Sequence, residues 1–141
     1  MEKSLLLLIF ALLSLPSISQ NCTSLRGGWI NELGSVLQID SVTFDGQILG
    51  LYKSSSGVDG RIFPLQGWIN SSSDQPEEIN ITFSVIWGRD YGSITSWTGY
   101  CYAEGGKSKI KTIWHLVRSG KDFDWERIIT NSSVFISAKE R

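Results

Sequence analysis

The sequence contains very little histidine and cysteine, two residue types that often carry out catalysis or bind metal ions. His115 is its only histidine, and Cys22 and Cys101 are its only cysteines. In the strand predicted around it, His115 alternates with Trp114 and Leu116, so we expect its side chain to point outward. A Ser–His–Asp or Cys–His arrangement then has no inward base, and the sequence shows no cluster of metal ligands. We predict a protein that is not an enzyme and needs no metal or other cofactor.

An excess of charge is also missing. The chain has 13 basic and 14 acidic side chains, and its formal net charge at neutral pH is −1. Proteins that bind nucleic acids or anionic membranes through charge usually carry a clear basic excess. Neither nucleic acid nor a membrane surface is therefore an expected partner.

The sequence has a single long apolar run, and it lies at the N-terminus. Lys3 precedes the run, which covers Leu5 to Leu15, and Ser17-Ile18-Ser19 supplies small residues where a signal peptidase cuts. The run is shorter than the ~20 apolar residues that span a bilayer. We therefore predict a signal peptide at residues 1–19 and a secreted, extracellular domain at residues 20–141.

The two cysteines predict one disulfide. An even pair behind a secretory leader leaves no thiol unpaired, and small secreted domains commonly form such bridges. A Cys22–Cys101 bridge would tie the start of the mature chain to a late strand.

Four N-x-[ST] sequences agree with a secreted protein, and their asparagines are Asn21, Asn70, Asn80 and Asn131. Asn70 begins a Ser-rich stretch, residues 70–75, that predicts a loop, and Asn80 alternates with an apolar row and is expected to face outward. Asn131 alternates in step with Ser133 and is expected to face the interior, where a glycan does not fit. The glycosylation candidates are therefore Asn70, Asn80 and Asn21.

Short runs rich in Val, Ile, Thr, Tyr and Trp recur along the chain, and helical periodicity is hard to find. They predict eight strands, near residues 28–31, 36–41, 47–53, 63–69, 79–87, 93–102, 109–118 and 125–136. Short connections favour an antiparallel meander. Eight such strands can close into an all-β, up-and-down barrel wide enough for one small ligand, and a two-sheet sandwich is the alternative.

Alternation along the predicted strands places different chemistry at the two ends of the barrel. Each inward row is apolar at one end and carries hydroxyl or indole groups at the other, as in Ser93, Thr95 and Trp97. Trp29 and Trp68 are expected to fill the core. Three further tryptophans, Trp87, Trp97 and Trp114, lie near hydroxyl residues, which is typical of a small-molecule site.

Five segments resemble the avidin family of biotin-binding proteins, in the family's order. The first, residues 22–35, contains the family's Gly-x-Trp-x-Asn-x-x-Gly-Ser pattern. The others are residues 46–54, 64–67, 97–101 and 112–118, and the cysteine pair matches the disulfide of animal members. The resemblance covers nearly all of the mature chain and implies the barrel fold with biotin as its ligand.

The resemblance also assigns roles in biotin binding. It implies that Asn31, Ser35 and Tyr52 donate hydrogen bonds to the ureido oxygen, and that Ser54 and Ser133 accept from the ureido N–H groups. It further implies that Thr95 meets the ring sulfur and that Ser93 and the loop with Ser56, Gly57 and Val58 hold the carboxylate. The apolar wall would comprise Trp87, Trp97, Trp114 and Leu116, with Trp125 contributed by a neighbouring subunit.

Three departures from the family pattern affect these expectations. Ser133 stands where relatives usually have Asn or Asp, so its hydrogen bond to the ureido group is expected to be weaker. Val58 replaces a polar loop residue. Thr130 and Ser132 are polar at outward positions where apolar residues help relatives form a subunit contact, so a homotetramer is expected but a dimer is conceivable.

The sequence thus predicts a secreted, non-enzymatic protein that sequesters or stores biotin. Two alternatives stay open at this point. The barrel could carry another small apolar ligand, as lipocalin-like proteins do, although the hydroxyl groups disfavour a purely apolar one. Alternatively, the pocket could be weakened in a domain that serves interactions, as Ser133 suggests.

Overall fold

The computed structural model describes residues 22–57 and 60–140. The predicted signal peptide, Asn21 and Val58 lie outside these ranges. Within them, no helix is long and apolar enough to cross a membrane.

Eight antiparallel strands form a closed barrel, in which each strand pairs with the next and β1 pairs with β8. The strands are β1 (Gly27–Asn31), β2 (Val36–Val42), β3 (Gln47–Lys53), β4 (Ile62–Ser72), β5 (Gln75–Ile86), β6 (Ser93–Glu104), β7 (Lys107–Arg118) and β8 (Ile128–Ser137). Short 3₁₀ helices cover Asp124–Glu126 and Ala138–Glu140. The predicted all-β, up-and-down barrel is confirmed, and the two-sheet sandwich is excluded.

The strand bounds differ most from the prediction at two places. Residues 70–75 were expected to form a loop, but β4 and β5 continue through them and leave a two-residue connection, because Ser72 pairs with Gln75. Trp125 was expected in the last strand, but it lies in a 3₁₀ helix, where the N–H of Arg127 bonds the carbonyl of Asp124 at 3.1 Å. Backbone hydrogen bonds decide both cases, since neither segment has a clear two-residue alternation.

Close approach between strands requires glycine at position 99. A Cβ atom on Gly99 would lie 1.8 Å from the carbonyl oxygen of Lys111 on β7. The inward row of β6 therefore has a gap between Trp97 and Cys101, and β7 packs directly against its backbone.

One end of the barrel, called here the filled end, is packed with side chains. Leu37, Ile39, Ile48, Ile110 and Phe135 are fully buried there. The predicted Cys22–Cys101 disulfide is confirmed near this end, with the two Cα atoms 5.9 Å apart. The opposite end is left for a site.

The two tryptophans expected in the core behave differently. Trp29 is 2% exposed, and its indole N–H donates to the carbonyl of Leu25 at 2.9 Å. Trp68 is 53% exposed, so the prediction of a core position is wrong. It lies between the inward residues Gly67 and Ile69 of β4, and alternation turns it to the outer face.

Candidate functional site

A cavity of about 460 Å³ opens at the end of the barrel opposite the filled end. The β1–β2, β3–β4, β5–β6 and β7–β8 connections surround its opening, called here the mouth, because alternate connections of an up-and-down barrel lie at the same end. The lining residues are Asn31, Leu33, Ser35, Tyr52, Ser54, Ser56, Gly57, Trp87, Tyr91, Ser93, Thr95, Trp97, Trp114, Leu116, Arg118 and Ser133. The rings at this end therefore leave room for a guest molecule.

The lining contains nearly every residue assigned to the site from the sequence. Two assigned residues are not among the lining residues: Val58, which lies outside the described ranges, and Trp125. Three lining residues were not anticipated: Leu33, Tyr91 and Arg118. Arg118 alternates in step with Trp114 and Leu116, so its position on the inward row of β7 was readable from the sequence.

The β1–β2 turn orients the amide of Asn31. Its Oδ1 accepts hydrogen bonds from the backbone N–H of Leu33 at 3.1 Å and of Ser35 at 2.8 Å. Because the carbonyl oxygen is occupied by the turn, the amide presents its Nδ2 group, a donor, to the cavity. The side chain is buried, so this donor is shielded from bulk water.

Tyr52 and Ser35 lie beside this donor. Tyr52 is 4% exposed, and burial raises the pKa of its phenol to about 12, with a smaller opposing effect from a hydrogen bond with Ser35. The phenol is therefore protonated and able to donate at neutral pH. Ser35 is tied to the β3–β4 loop, because its Oγ accepts from the backbone N–H of Ser55 at 3.1 Å and lies 3.1 Å from the hydroxyl of Ser55.

Two further serines can serve as acceptors in the cavity. The hydroxyl of Ser54 donates to the carbonyl of Ser56 at 2.8 Å, so its oxygen is oriented to accept. Ser133 is buried on the inward row of β8, directly opposite Thr112. The hydroxyl of Thr112 donates to the carbonyl of Ser133 at 3.1 Å, which fixes the strand at this point.

Aromatic rings form the walls of the cavity. The ring of Trp97 is stacked on Phe83 with centroids 4.9 Å apart, and it also lies 4.9 Å from the ring of Tyr52. The indole N–H of Trp87 donates to Oγ1 of Thr95 at 2.7 Å. Because that oxygen accepts the indole proton, the proton of Thr95 is available to an acceptor inside the cavity.

The mouth carries Arg118, Tyr91 and Arg61, which were not predicted from the sequence. Arg118 lies directly opposite Ser93 in the β6–β7 pairing. Tyr91 forms a hydrogen bond with Nη2 of Arg61, whose guanidinium carbon also lies 5.1 Å from the centre of the Tyr91 ring. The mouth therefore combines the hydroxyl of Ser93 with the guanidinium groups of Arg118 and Arg61. Arg118 lines the cavity, and Arg61 does not.

Other sequence assignments lie on the outside of the barrel. Trp125 is 75% exposed and stacks on Phe123 with centroids 5.6 Å apart. His115 is exposed as predicted, with Nδ1 2.8 Å from the hydroxyl of Thr130. Asn70 and Asn80 are exposed as well.

The interior position expected for Asn131 is wrong. The residue is solvent-exposed, although it alternates in step with the buried Ser133. Ser133 is the last enclosed residue of the β8 row, and Asn131 lies one inward step nearer the mouth, where the barrel no longer covers it.

Chemically, the cavity offers a cluster of buried neutral donors, Asn31, Ser35 and Tyr52, called here the base, with apolar rings around them. No described lining residue pairs a nucleophile with a histidine, since His115 points outward. Buried donors held by the backbone in this way favour a guest with a strong neutral acceptor, such as the oxygen of an amide or a urea.

Comparison with known proteins agrees with this architecture. The model of the avidin family matches residues 19–138. Avidin-related protein 4/5 of Gallus gallus is 36% identical over 128 residues, which cover 86% of this chain and 83% of the relative. Avidin of the same species is 31% identical over 137 residues, with 93% and 89% covered.

Solved structures give the same result in three dimensions. Xenavidin has a TM-score of 0.71 at 34% identity, with 84% of this chain and 99% of that chain covered. The biotin complex of a shwanavidin variant has a TM-score of 0.67 at 28% identity, with 82% and 98% covered. The extent of the family match and the identity to avidin-related protein 4/5 together show that the chain belongs to the avidin family.

Proposed function

We propose that this protein is a secreted, non-enzymatic biotin-binding protein that sequesters or stores biotin in the cavity. The observation that carries the proposal is the group of three donors at the base: the Nδ2 of Asn31, the hydroxyl of Ser35 and the phenol of Tyr52. Membership of a family with a biotin complex among its solved structures supports the same ligand.

The ureido oxygen of biotin is the acceptor that matches this group. Three donors that converge on one oxygen polarise the urea, as an oxyanion hole polarises a carbonyl group. The two ureido N–H groups then face the oxygens of Ser54 and Ser133. Ser133 is a neutral acceptor. If its bond to the ureido N–H is weaker than that of an amide by one net hydrogen bond, about 0.5–1.5 kcal/mol, the affinity for biotin is roughly twofold to tenfold lower.

The remainder of the ligand extends from the base toward the mouth. The rings of Trp87, Trp97 and Trp114, with Leu116, enclose the bicyclic ring and the aliphatic tail. The hydroxyl of Thr95, whose oxygen accepts from the indole of Trp87, can donate its proton to the ring sulfur, a weak acceptor. The tail carboxylate then lies near Ser93, Ser56 and Gly57.

Affinity in this proposal depends on groups that are already in place. Asn31, Ser35 and Ser54 are each held by hydrogen bonds to the backbone of a neighbouring turn or loop. Little conformational entropy is therefore lost when the ligand binds.

We also propose that the protein forms a homo-oligomer, a homotetramer or a dimer. Ile86, Ile94, Val117 and Ile128 are register neighbours across four strands, and all four are at least 43% exposed on the outer face. A continuous apolar row of this kind is typical of a subunit contact. The exposed Trp125 is available to cover the cavity of a neighbouring subunit.

The test is a titration of the recombinant mature protein with biotin. Binding should quench the fluorescence of the tryptophans in the cavity and raise the melting temperature, since a ligand that binds only the folded state stabilises it. Retinol and a fatty acid serve as control ligands. No response to excess biotin, or a response to the control ligands instead, would overturn the proposed function.

A further inference from the structure

Arg118 stands out among the cavity-lining residues because its side chain is charged. The other lining residues in the described ranges are neutral, and most are aromatic or carry a hydroxyl group. Arg118 is the last residue of β7 and follows Trp114 and Leu116 on the inward row, so it lies at the mouth. The site therefore changes from neutral donors at the base to a cation at its opening.

The guanidinium of Arg118 is held by the β7–β8 connection. Its Nε donates to the carbonyl of Glu126 at 2.9 Å, and its backbone N–H donates to the carbonyl of Arg127 at 3.0 Å. The first of these bonds uses one of the five guanidinium N–H donors, and the second uses the backbone. The two terminal amino groups are left to bind a ligand. A planar guanidinium that is held through its Nε atom is well suited to a carboxylate, because it can bind the two oxygens through two parallel hydrogen bonds.

The charge of Arg118 has no carboxylate partner among the described residues. Within residues 22–57 and 60–140, the ion pair present is the one between Lys109 and Glu104, on the β6–β7 hairpin at the filled end. A second guanidinium, that of Arg61, is also near the mouth and is held against Tyr91. The mouth therefore carries two guanidinium groups, those of Arg118 and Arg61, that no described ion pair neutralises, and Arg118 lies opposite Ser93.

The geometry points to Arg118 as a specificity-determining residue that makes the cavity select ligands whose tail ends in a carboxylate. Free biotin binds more tightly than its uncharged esters or amides, because only the free acid forms a charge-assisted bond at the mouth. This inference rests on the proposed function, since a ligand that fills the base with its urea brings its tail to Ser93 and Arg118.

The experiment compares dissociation constants for biotin and for biotin methyl ester, which has the same ring and tail without the charge. The parent protein, Arg118→Gln and Arg118→Lys are measured at low and at high salt. We expect Arg118→Gln to weaken biotin roughly fivefold to tenfold while the ester changes less than about twofold. Arg118→Lys should restore part of the preference, and high salt should reduce it in the parent protein.

Arg61→Gln is the matched control, because it removes a cation from the mouth without changing a lining residue. It should alter the ratio of the two dissociation constants less than Arg118→Gln does. An unchanged ratio in Arg118→Gln, with both ligands still bound, overturns the role of Arg118 and leaves the proposed function intact. Failure of the parent protein to bind either ligand overturns the proposed function itself.

Discussion

At the scale of single residues, the backbone decides which atoms face the cavity. Asn31 could present either end of its amide, and the two backbone N–H groups of the β1–β2 turn select the donor end. Tyr52 could ionise in water at moderately high pH, and burial keeps its proton in place. The chemistry of the site therefore depends on neighbours of the lining residues as much as on their types.

Tyr52 predicts a specific pH dependence of stability. Because its pKa is about 12 in the folded protein and about 10 in the unfolded chain, the folded state holds the proton more tightly. The associated stability is fully present below pH 10 and is lost as the pH rises through 12. Between these limits the free energy of unfolding should fall by about 2 to 3 kcal/mol more in the parent protein than in Tyr52→Phe.

Chemical denaturation of both proteins at a series of pH values measures this difference. The comparison cancels the titration of the exposed lysines and the other tyrosines, which both proteins share. Parallel curves from pH 9 to 12 would contradict the tight retention of the phenol proton.

In addition, Tyr52→Phe should weaken biotin binding roughly tenfold at neutral pH, since it removes one of three donors to the urea.

Ser133 predicts a gain of affinity by substitution. Ser133→Asn restores an amide acceptor on the buried inward row of β8, and biotin should bind roughly twofold to tenfold more tightly. Ser132→Asn is the matched control, because the neighbouring side chain is exposed on the outer face. Equal affinities in both variants would show that Ser133 does not meet the ligand.

At the scale of elements, tight strand pairing explains several positions that side-chain chemistry does not. The β6–β7 contact is the clearest, because Gly99 leaves no space for a Cβ atom beside Lys111. The same pairing aligns Ser93 with Arg118 and Trp97 with Trp114, so it also sets the geometry of the cavity.

Gly99→Ala should therefore destabilise the protein by more than about 2 kcal/mol, because the strands must separate to accept the methyl group. Gly28→Ala is the control, since its Cβ would meet only side-chain atoms, 3.3 Å from Oε1 of Gln38 and 3.5 Å from Cβ of Ala138. Thermal or denaturant unfolding measures both. Similar stability losses in the two variants would contradict the close approach of β6 and β7.

Much of the barrel was predictable because two-residue alternation is a local signal. It correctly placed His115 outside and the inward rows of β6 and β7 inside. It was insufficient where a strand leaves the enclosed part of the barrel, as at Asn131, and where turn hydrogen bonds replace a strand, as at Trp125. Trp68 was misjudged for another reason, since its residue type was weighed above its alternation. No prediction was made for Arg118, although its alternation with Trp114 and Leu116 places it on the inward row.

At the scale of the whole molecule, the outer face carries exposed apolar residues close to the mouth. Trp125 lies on the β7–β8 connection at the mouth, and the carbonyl of the next residue, Glu126, holds Arg118. An exposed apolar row runs across the mouth-side ends of β5, β6, β7 and β8, and it consists of Ile86, Ile94, Val117 and Ile128. Association through this face would bring a second subunit close to the opening.

Trp125→Ala should weaken biotin at least tenfold if a neighbouring subunit supplies this indole to the cavity. Trp68→Ala is the control, because it removes another exposed indole from a different outer face. Light scattering after gel filtration measures the mass of each variant alongside the biotin titration. Unchanged affinity in Trp125→Ala at an unchanged oligomeric mass would show that each pocket is complete within one chain.

The Cys22–Cys101 bridge lies near the end of the barrel opposite the mouth. The cavity opens at one end of the barrel, while the disulfide, which restrains the unfolded chain, lies near the other end. The loops around the mouth can therefore vary in length or sequence without affecting the disulfide. The restriction that the disulfide places on the unfolded chain does not depend on which ligand the cavity holds.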